Sequence, residues 1–290
     1  TDKIEHASVL NSFSFLEEQG FEVVYLPVDR SGLVDPEDVE RAVDEQTTLV
    51  SIMHINNEVG SIQPLEAIGA AIKKRNPSAL FHVDAVQSLS RLPLEIENWQ
   101  ADLVSCSAHK IHGPKGAGAL WVREGVFLQP LLHGGGQERD LRSGTENVAA
   151  IAGFGMAMRL AAADNQNNRA YLQKLKLSFL EQLKQSGLHF VINGPLPSEG
   201  APHILNLAFP GIKAEVVLHS LDEKNIYVSA GSACHANRTE PSHVLKAMGI
   251  GTEELAGALR FSFSIFNTAE EIKEAAVKIA AVVKELKDLF

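Results

Sequence analysis

Between residues 36 and 122, short apolar runs alternate with amphipathic ones, and no other feature limits the possible folds of this chain so strongly. TTLVSIMHI is strand-like, QPLEAIGAAIKKRN carries apolar residues at helical spacing, and ALFHVDAV, DLVSCSAH and GALWV again read as strands. Upstream, SFLEEQG reads as helix, FEVVYLPV as strand, and DPEDVERAVDEQ as a helix capped by Asp35 and opened by Pro36. Apolar strands this short, separated by helices, predict an α/β fold with a mainly parallel sheet flanked by helices. In such sheets ligands collect at the carboxyl ends of the strands, so the residues that follow each apolar run are the candidates for function.

After the glycine-rich HGGGQERDLRSGTENV, a helix of small residues (NVAAIAGFGMAMRLAA) runs into polar ADNQNNR. That shift in composition predicts a hinge near residue 164, with a large domain over 1–163 and a smaller C-terminal α+β domain over 164–290. The second part reads as helix AYLQKLKLSFLEQLKQSG, strands HFVING and ILNLAF, helix AEVVLHSLDEKN, strands IYVSAG and ALRFSFS, and a closing helix capped by Thr268 with Glu271. With 290 residues and 45% hydrophobic content, the chain can bury two cores.

Several function classes are disfavoured. A net charge of -10, with 26 Lys and Arg scattered along the chain, offers no extended positive surface, so no nucleic-acid partner is expected. There is no long uncharged apolar run, and TDKIEHASVL lacks the basic start and apolar core of a leader; no membrane association is expected. Cys106 and Cys234 are the only cysteines, too few for a disulfide framework, which predicts a reducing, cytoplasmic location. Neither Lys110 nor Lys115 has the glycine before and hydroxyl after that a Walker loop requires, and Gly116 and Gly118 run into a strand rather than a helix. Eleven histidines make chance pairs such as His109 with His112 unsurprising; HExxH is absent, and no metal is expected.

Two strand ends stand out. FHVDAVQS finishes with Asp84 and Gln87, and SCSAHK with Ser107, His109 and Lys110. An amine that can form a Schiff base and a carboxylate that can keep a pyridine nitrogen protonated are what pyridoxal 5'-phosphate needs. A surface lysine and a turn aspartate are the ordinary alternative, and spacing alone leaves both open.

MHINNEVG, HVDAVQS, SAHKIHGPKGAGALW, GGGQERDLRSGTENV and GSACHANRTEPSHVL, in this order along the chain, resemble the NifS/IscS-type cysteine desulfurases of the class V aminotransferase family. The resemblance implies a fold type I pyridoxal-phosphate enzyme acting on L-cysteine. It makes Lys110 the Schiff-base lysine and Asp84 the partner of the pyridinium. Gln87 and Asn57 then bond the ring oxygen and the substrate side, and Ser107 and His109 hold the phosphate. His6 matches the histidine that stacks on the ring and assists proton transfer. Arg260, in LRFSFS, matches the arginine that clamps the substrate carboxylate with its planar fork. Thr145, in RSGT, implies a homodimer in which each chain completes the other's site. Lys110 must spend part of the cycle as a neutral amine, which burial and a nearby cation favour.

The two cysteines separate. Cys106 lies in an apolar strand, where a thiol behaves as a small hydrophobe. Cys234 lies in a polar loop of small residues beside His235, a setting that favours thiolate. By the resemblance Cys234 accepts the sulfur as a persulfide, L-alanine leaves, and the sulfur passes to an acceptor or iron–sulfur scaffold protein. The family also has a segment ahead of the His6 position, with a Gly-Ala-Thr phosphate loop, so the sequence is expected to be truncated. A selenocysteine lyase, a class V transaminase without sulfur transfer and a non-catalytic scaffold are the competing readings.

Overall fold

The computed structural model describes residues 1–231 and 241–289. Three of the apolar runs pair side by side: β1 (Leu49–Met53), β2 (Leu80–Asp84) and β3 (Leu103–Ser107) are parallel, with Met53 opposite Asp84 and Asp84 opposite Ser105. β4 (Gly118–Val122) lies antiparallel on the far edge of β3. Residues 108–117, which join the two, are too few for a parallel crossover of a dozen residues or more.

The pleat sorts side chains by face. Val50, Ile52, Phe81, Val83 and Val104 share a core with Val39 of α2 (Pro36–Ala42) and with Leu65, Ile68 and Ile72 of α3 (Leu65–Arg75). The alternate residues form a polar row: His82 Nδ1 lies 2.8 Å from Ser51 Oγ, and His82 Nε2 lies 3.1 Å from Ser105 Oγ. Burial pushes the His82 imidazole down to about 4, so it stays neutral between the two hydroxyls. Two residues further along each strand, the same face presents Met53, Asp84 and Ser107 at the carboxyl ends.

The approach of α3 to the chain beneath it depends on Gly69, where an added Cβ would lie 1.8 Å from the carbonyl oxygen of Trp99. Gly69→Ala is expected to cost about 3 kcal/mol of stability, because backbone on both sides must separate. Urea denaturation measures this, and an unchanged midpoint would contradict so close a contact.

Two apolar runs expected as strands are not strands. Leu26, in FEVVYLPV, makes a single parallel bridge to Asp2, and Ser229, in IYVSAG, a single bridge to Arg260. Strand-like composition becomes a strand only where a partner runs alongside it. α1 (Ala7–Glu18) begins earlier than its composition suggests, because the His6 side chain accepts the Ser8 N–H at its start.

The chain breaks from α4 (Val148–Ala163) to α5 (Asn165–Gln185) at Asp164. Beyond it, β5 (Val191–Asn193), β6 (Ile204–Ala208) and β7 (Ala258–Ser262) form an antiparallel sheet. α5, α6 (Ala214–Asp222) and α8 (Ala269–Leu289) cover it through residues such as Phe179, Val217 and Ile279, packed with Leu207 and Phe261. The Thr268–Glu271 cap forms as expected: the Thr268 N–H donates to Glu271 Oε2 at 2.9 Å, and the Glu271 N–H to Thr268 Oγ1 at 3.1 Å. Ile4, Met53 and Val59 pack with Ala208 of β6, Val244 of α7 (His243–Ala247) and Met248, which brings the second sheet against the carboxyl ends of the first.

Candidate active site

At those strand ends lies a cavity of about 300 Å³, within the range of small-molecule sites. His6, Asn57, Asp84, Gln87, Ser107, His109, Lys110 and Arg260 line it. A wider hollow among Glu37, Glu40, Arg41 and Arg75 is a charged surface groove away from the strand ends.

Asp84 is buried, and its Oδ1 accepts the Val86 N–H at 2.9 Å. Burial pushes its carboxyl above the ordinary range, against the pull of the Val86 N–H and the charge of Lys110. A carboxyl with raised proton affinity shares a proton strongly with a ring nitrogen set against it.

Lys110 sits on a short 3-10 turn, Ala108–Ile111, that ends with His112 in the left-handed region at φ 65°. Gly113 follows, its N–H donating to the Ala108 oxygen at 2.9 Å; a Cβ at 113 would lie 2.9 Å from that same oxygen. This tight closure explains the HGPKG sequence. The turn buries Ala108 and Ile111, three residues apart, and so directs His109 and Lys110 outward. Lys110 is therefore exposed at the cavity, so burial, one of the two influences that would favour its neutral form, is absent here.

Ser107 Oγ lies 2.6 Å from His109 Nδ1. Either tautomer leaves one donor over for an anion, Nε2–H or the Ser107 hydroxyl. Burial lowers the His109 pKa, and the charges of Lys110 and Lys115 lower it further. Across the cavity Arg260 projects from β7, opposite Asn206 of β6, and its Nη1 donates to the Asn57 oxygen at 2.9 Å. The Asn57 loop is held by its neighbour: Asn56 Oδ1 accepts the N–H groups of Glu58 and Val59, and Asn56 Nδ2 donates to the Ile4 oxygen.

Sequence reasoning missed the walls. Met53, Ile55 and Val86 complete the lining with Ser8; Met53 was within reach of the pleat, two residues past Ser51 on the same face. Thr145 is exposed and does not line this cavity. Cys234 lies outside the described residues. Cys106 is half-buried in β3, with burial raising its thiol pKa, as suits an inert side chain. Among the described residues no group of three His, Cys, Asp or Glu is arranged to hold a metal, and no helix is long and apolar enough to cross a membrane.

A mainly parallel sheet whose strand ends gather an amine, a buried acid and a guanidinium around one cavity fits a pyridoxal-phosphate enzyme of fold type I, and the known proteins that this chain matches place it in that class. The family described as Aminotransferase class-V matches residues 1–274. A protein of Methanosarcina thermophila named cysteine desulfurase IscS is 42% identical over 290 residues, covering 100% of this chain and 70% of the relative. Another of that name, from Dictyoglomus turgidum, is 39% identical over 289 residues, covering 100% of this chain and 73% of its own length. A solved structure described as a NifS-like protein superposes with a TM-score of 0.90 at 40% identity, covering 98% of this chain and 74% of that one. The chain belongs to the class V aminotransferase family, in its NifS/IscS-type cysteine desulfurase branch. The family is pyridoxal-phosphate dependent, and the donors in the cavity fit that cofactor: an acid for a ring nitrogen, an amine for an aldehyde, and a hydroxyl–imidazole pair for a phosphate.

Proposed function

We propose that the cavity binds L-cysteine beside pyridoxal phosphate and passes the substrate's sulfur to Cys234. The observation that carries this reading is the placing of Lys110, Asp84 and Arg260 around one cavity at the strand ends. When bound, the cofactor supplies an electron sink that stabilises negative charge at the substrate α-carbon and weakens the neighbouring carbon–sulfur bond. Lys110 holds the cofactor and then moves the α-proton. Asp84 keeps the ring nitrogen protonated, Gln87 and Asn57 bind the ring oxygen and the substrate side, and the His6 ring covers the cofactor. Ser107 and His109 take the phosphate, with Thr145 serving the partner subunit's site, and Arg260 takes the substrate carboxylate. The balance is simple: the cysteine carbon–sulfur bond breaks, a sulfur–sulfur bond to Cys234 forms, and protons complete L-alanine.

The same reading assigns two units, 1–163 and 164–290, hinged at the helix break at Asp164. It makes the protein a homodimer, supported by the exposed apolar side chains of Val148, Ile151, Met156 and Leu160 on α4. A cytoplasmic location, where thiols stay reduced, and a sulfur-acceptor or iron–sulfur scaffold protein as recipient complete the proposal.

The test is an absorption spectrum after incubation with pyridoxal phosphate, repeated with L-cysteine, with L-alanine and released sulfur measured together. Uptake of the cofactor, a spectral change with L-cysteine and equal amounts of both products are expected. A spectrum that L-cysteine does not move would reject the reading. Asp84→Asn is expected to lower turnover roughly 10²- to 10³-fold while leaving the fold intact, since it removes the charge opposite the ring nitrogen and little volume. Unchanged kcat would remove Asp84 from this role.

A further inference from the structure

Gln87 reaches the cavity from the turn after β2. Its Oε1 lies 3.4 Å from Nε2 of His203, a residue 116 positions away, just ahead of β6. His203 is buried, fixed by the Phe263 N–H that donates to its backbone oxygen at 2.9 Å, and its Nδ1 has no hydrogen-bond partner. A buried N–H without an acceptor is rarer than a buried nitrogen lone pair without a donor. The ring proton therefore belongs on Nε2, facing Gln87. Burial pushes the His203 pKa down to about 3, and the charges of Arg91, Lys176, Arg260 and Lys110 act in the same direction, so the ring holds one proton only.

An amide's two ends are nearly the same size, so something must choose between them. The cavity lining does not choose, because it holds the acceptor Asp84 as well as the donors Lys110 and Arg260. The hydrogen bond to His203 occupies the amide oxygen and leaves the NH₂ end for the cavity.

We propose that His203 is a positioning residue that locks the Gln87 amide with its oxygen away from the cavity, so that Gln87 presents a donor to an anionic ring oxygen. This rests on the proposed pyridoxal-phosphate site. His203 is not among the residues that line the cavity and acts through Gln87.

Two measurements test it. In the cofactor-free protein, the ¹⁵N resonances of His203 report its tautomer directly: a protonated Nε2 and a bare Nδ1 are expected, and a proton on Nδ1 would overturn the proposal. In the cofactor-loaded protein, the absorbance of the bound chromophore is titrated against pH for wild type, His203→Phe and His203→Gln. Loss of a donor to the ring oxygen makes that oxygen more basic and holds the neighbouring proton more tightly. His203→Phe is expected to raise the titration midpoint by about one pH unit, and His203→Gln, which keeps an amide N–H at that depth, to restore it. A His203→Phe midpoint equal to that of wild type would overturn the proposal. If wild type takes up no cofactor, the functional reading fails, and the ¹⁵N result still decides the amide's orientation. If His203→Phe does not fold, that same result decides.

Discussion

Lys110→Ala is expected to lower L-cysteine turnover by about 10⁴-fold or more and to abolish the absorbance of a covalently held cofactor. Alanine removes two functions at once: the amine that anchors the cofactor aldehyde, and the base that lifts and returns the α-proton. Among the described residues Lys110 carries the one primary amine in the lining; the imidazoles of His6 and His109 are there too, but an imidazole does not form the imine that anchors the aldehyde, and Arg260 is tied to the Asn57 oxygen. The 3-10 turn is closed by Gly113 on Ala108 and buried through Ala108 and Ile111, so truncating the exposed Lys110 side chain leaves the fold in place. Near-native stability with lost turnover is therefore the expected pair of results, read by thermal unfolding beside the activity assay. Retention of more than about a tenth of the activity would show that another group carries the proton.

Cys234→Ser is expected to separate the chemistry into halves. Cofactor uptake and the spectral response to L-cysteine remain, because those depend on Lys110, Asp84 and Arg260. Transfer of sulfur to the protein is lost, with turnover down by about 10³-fold or more, because a serine hydroxyl is scarcely ionised at neutral pH and forms no stable bond to the sulfur. The measurement is persulfide on the protein by mass spectrometry after L-cysteine is added. A persulfide found on Cys106 in the variant would contradict the assignment; its half-buried setting and raised thiol pKa argue against it.

The positions of Asp84 and Ser107 were legible because strand periodicity is local: once ALFHVDAV and DLVSCSAH are read as neighbouring parallel strands, their carboxyl ends must converge. Arg260 was not legible from the chain alone, since only the packing of Met53 and Val59 against Ala208 brings β7 to the cavity, and the family resemblance supplied it. FEVVYLPV and IYVSAG misled because each makes only a single bridge, Leu26 to Asp2 and Ser229 to Arg260, too short a pairing to form a strand. The exposure of Lys110 depends on which side of a four-residue turn is buried, a choice made by Ala108 and Ile111. His203 carried no signal, since a histidine ahead of an apolar strand gives no hint of an amide 116 residues upstream.

The most direct test of the central claim is reduction of the cofactor-loaded protein with borohydride, followed by peptide mapping. One reduced cofactor is predicted on the peptide at Lys110, with none once Lys110 is replaced by alanine. A label on Lys115 or on another lysine, or uptake of the cofactor with no covalent mark, would contradict the site as it is drawn from these strand ends.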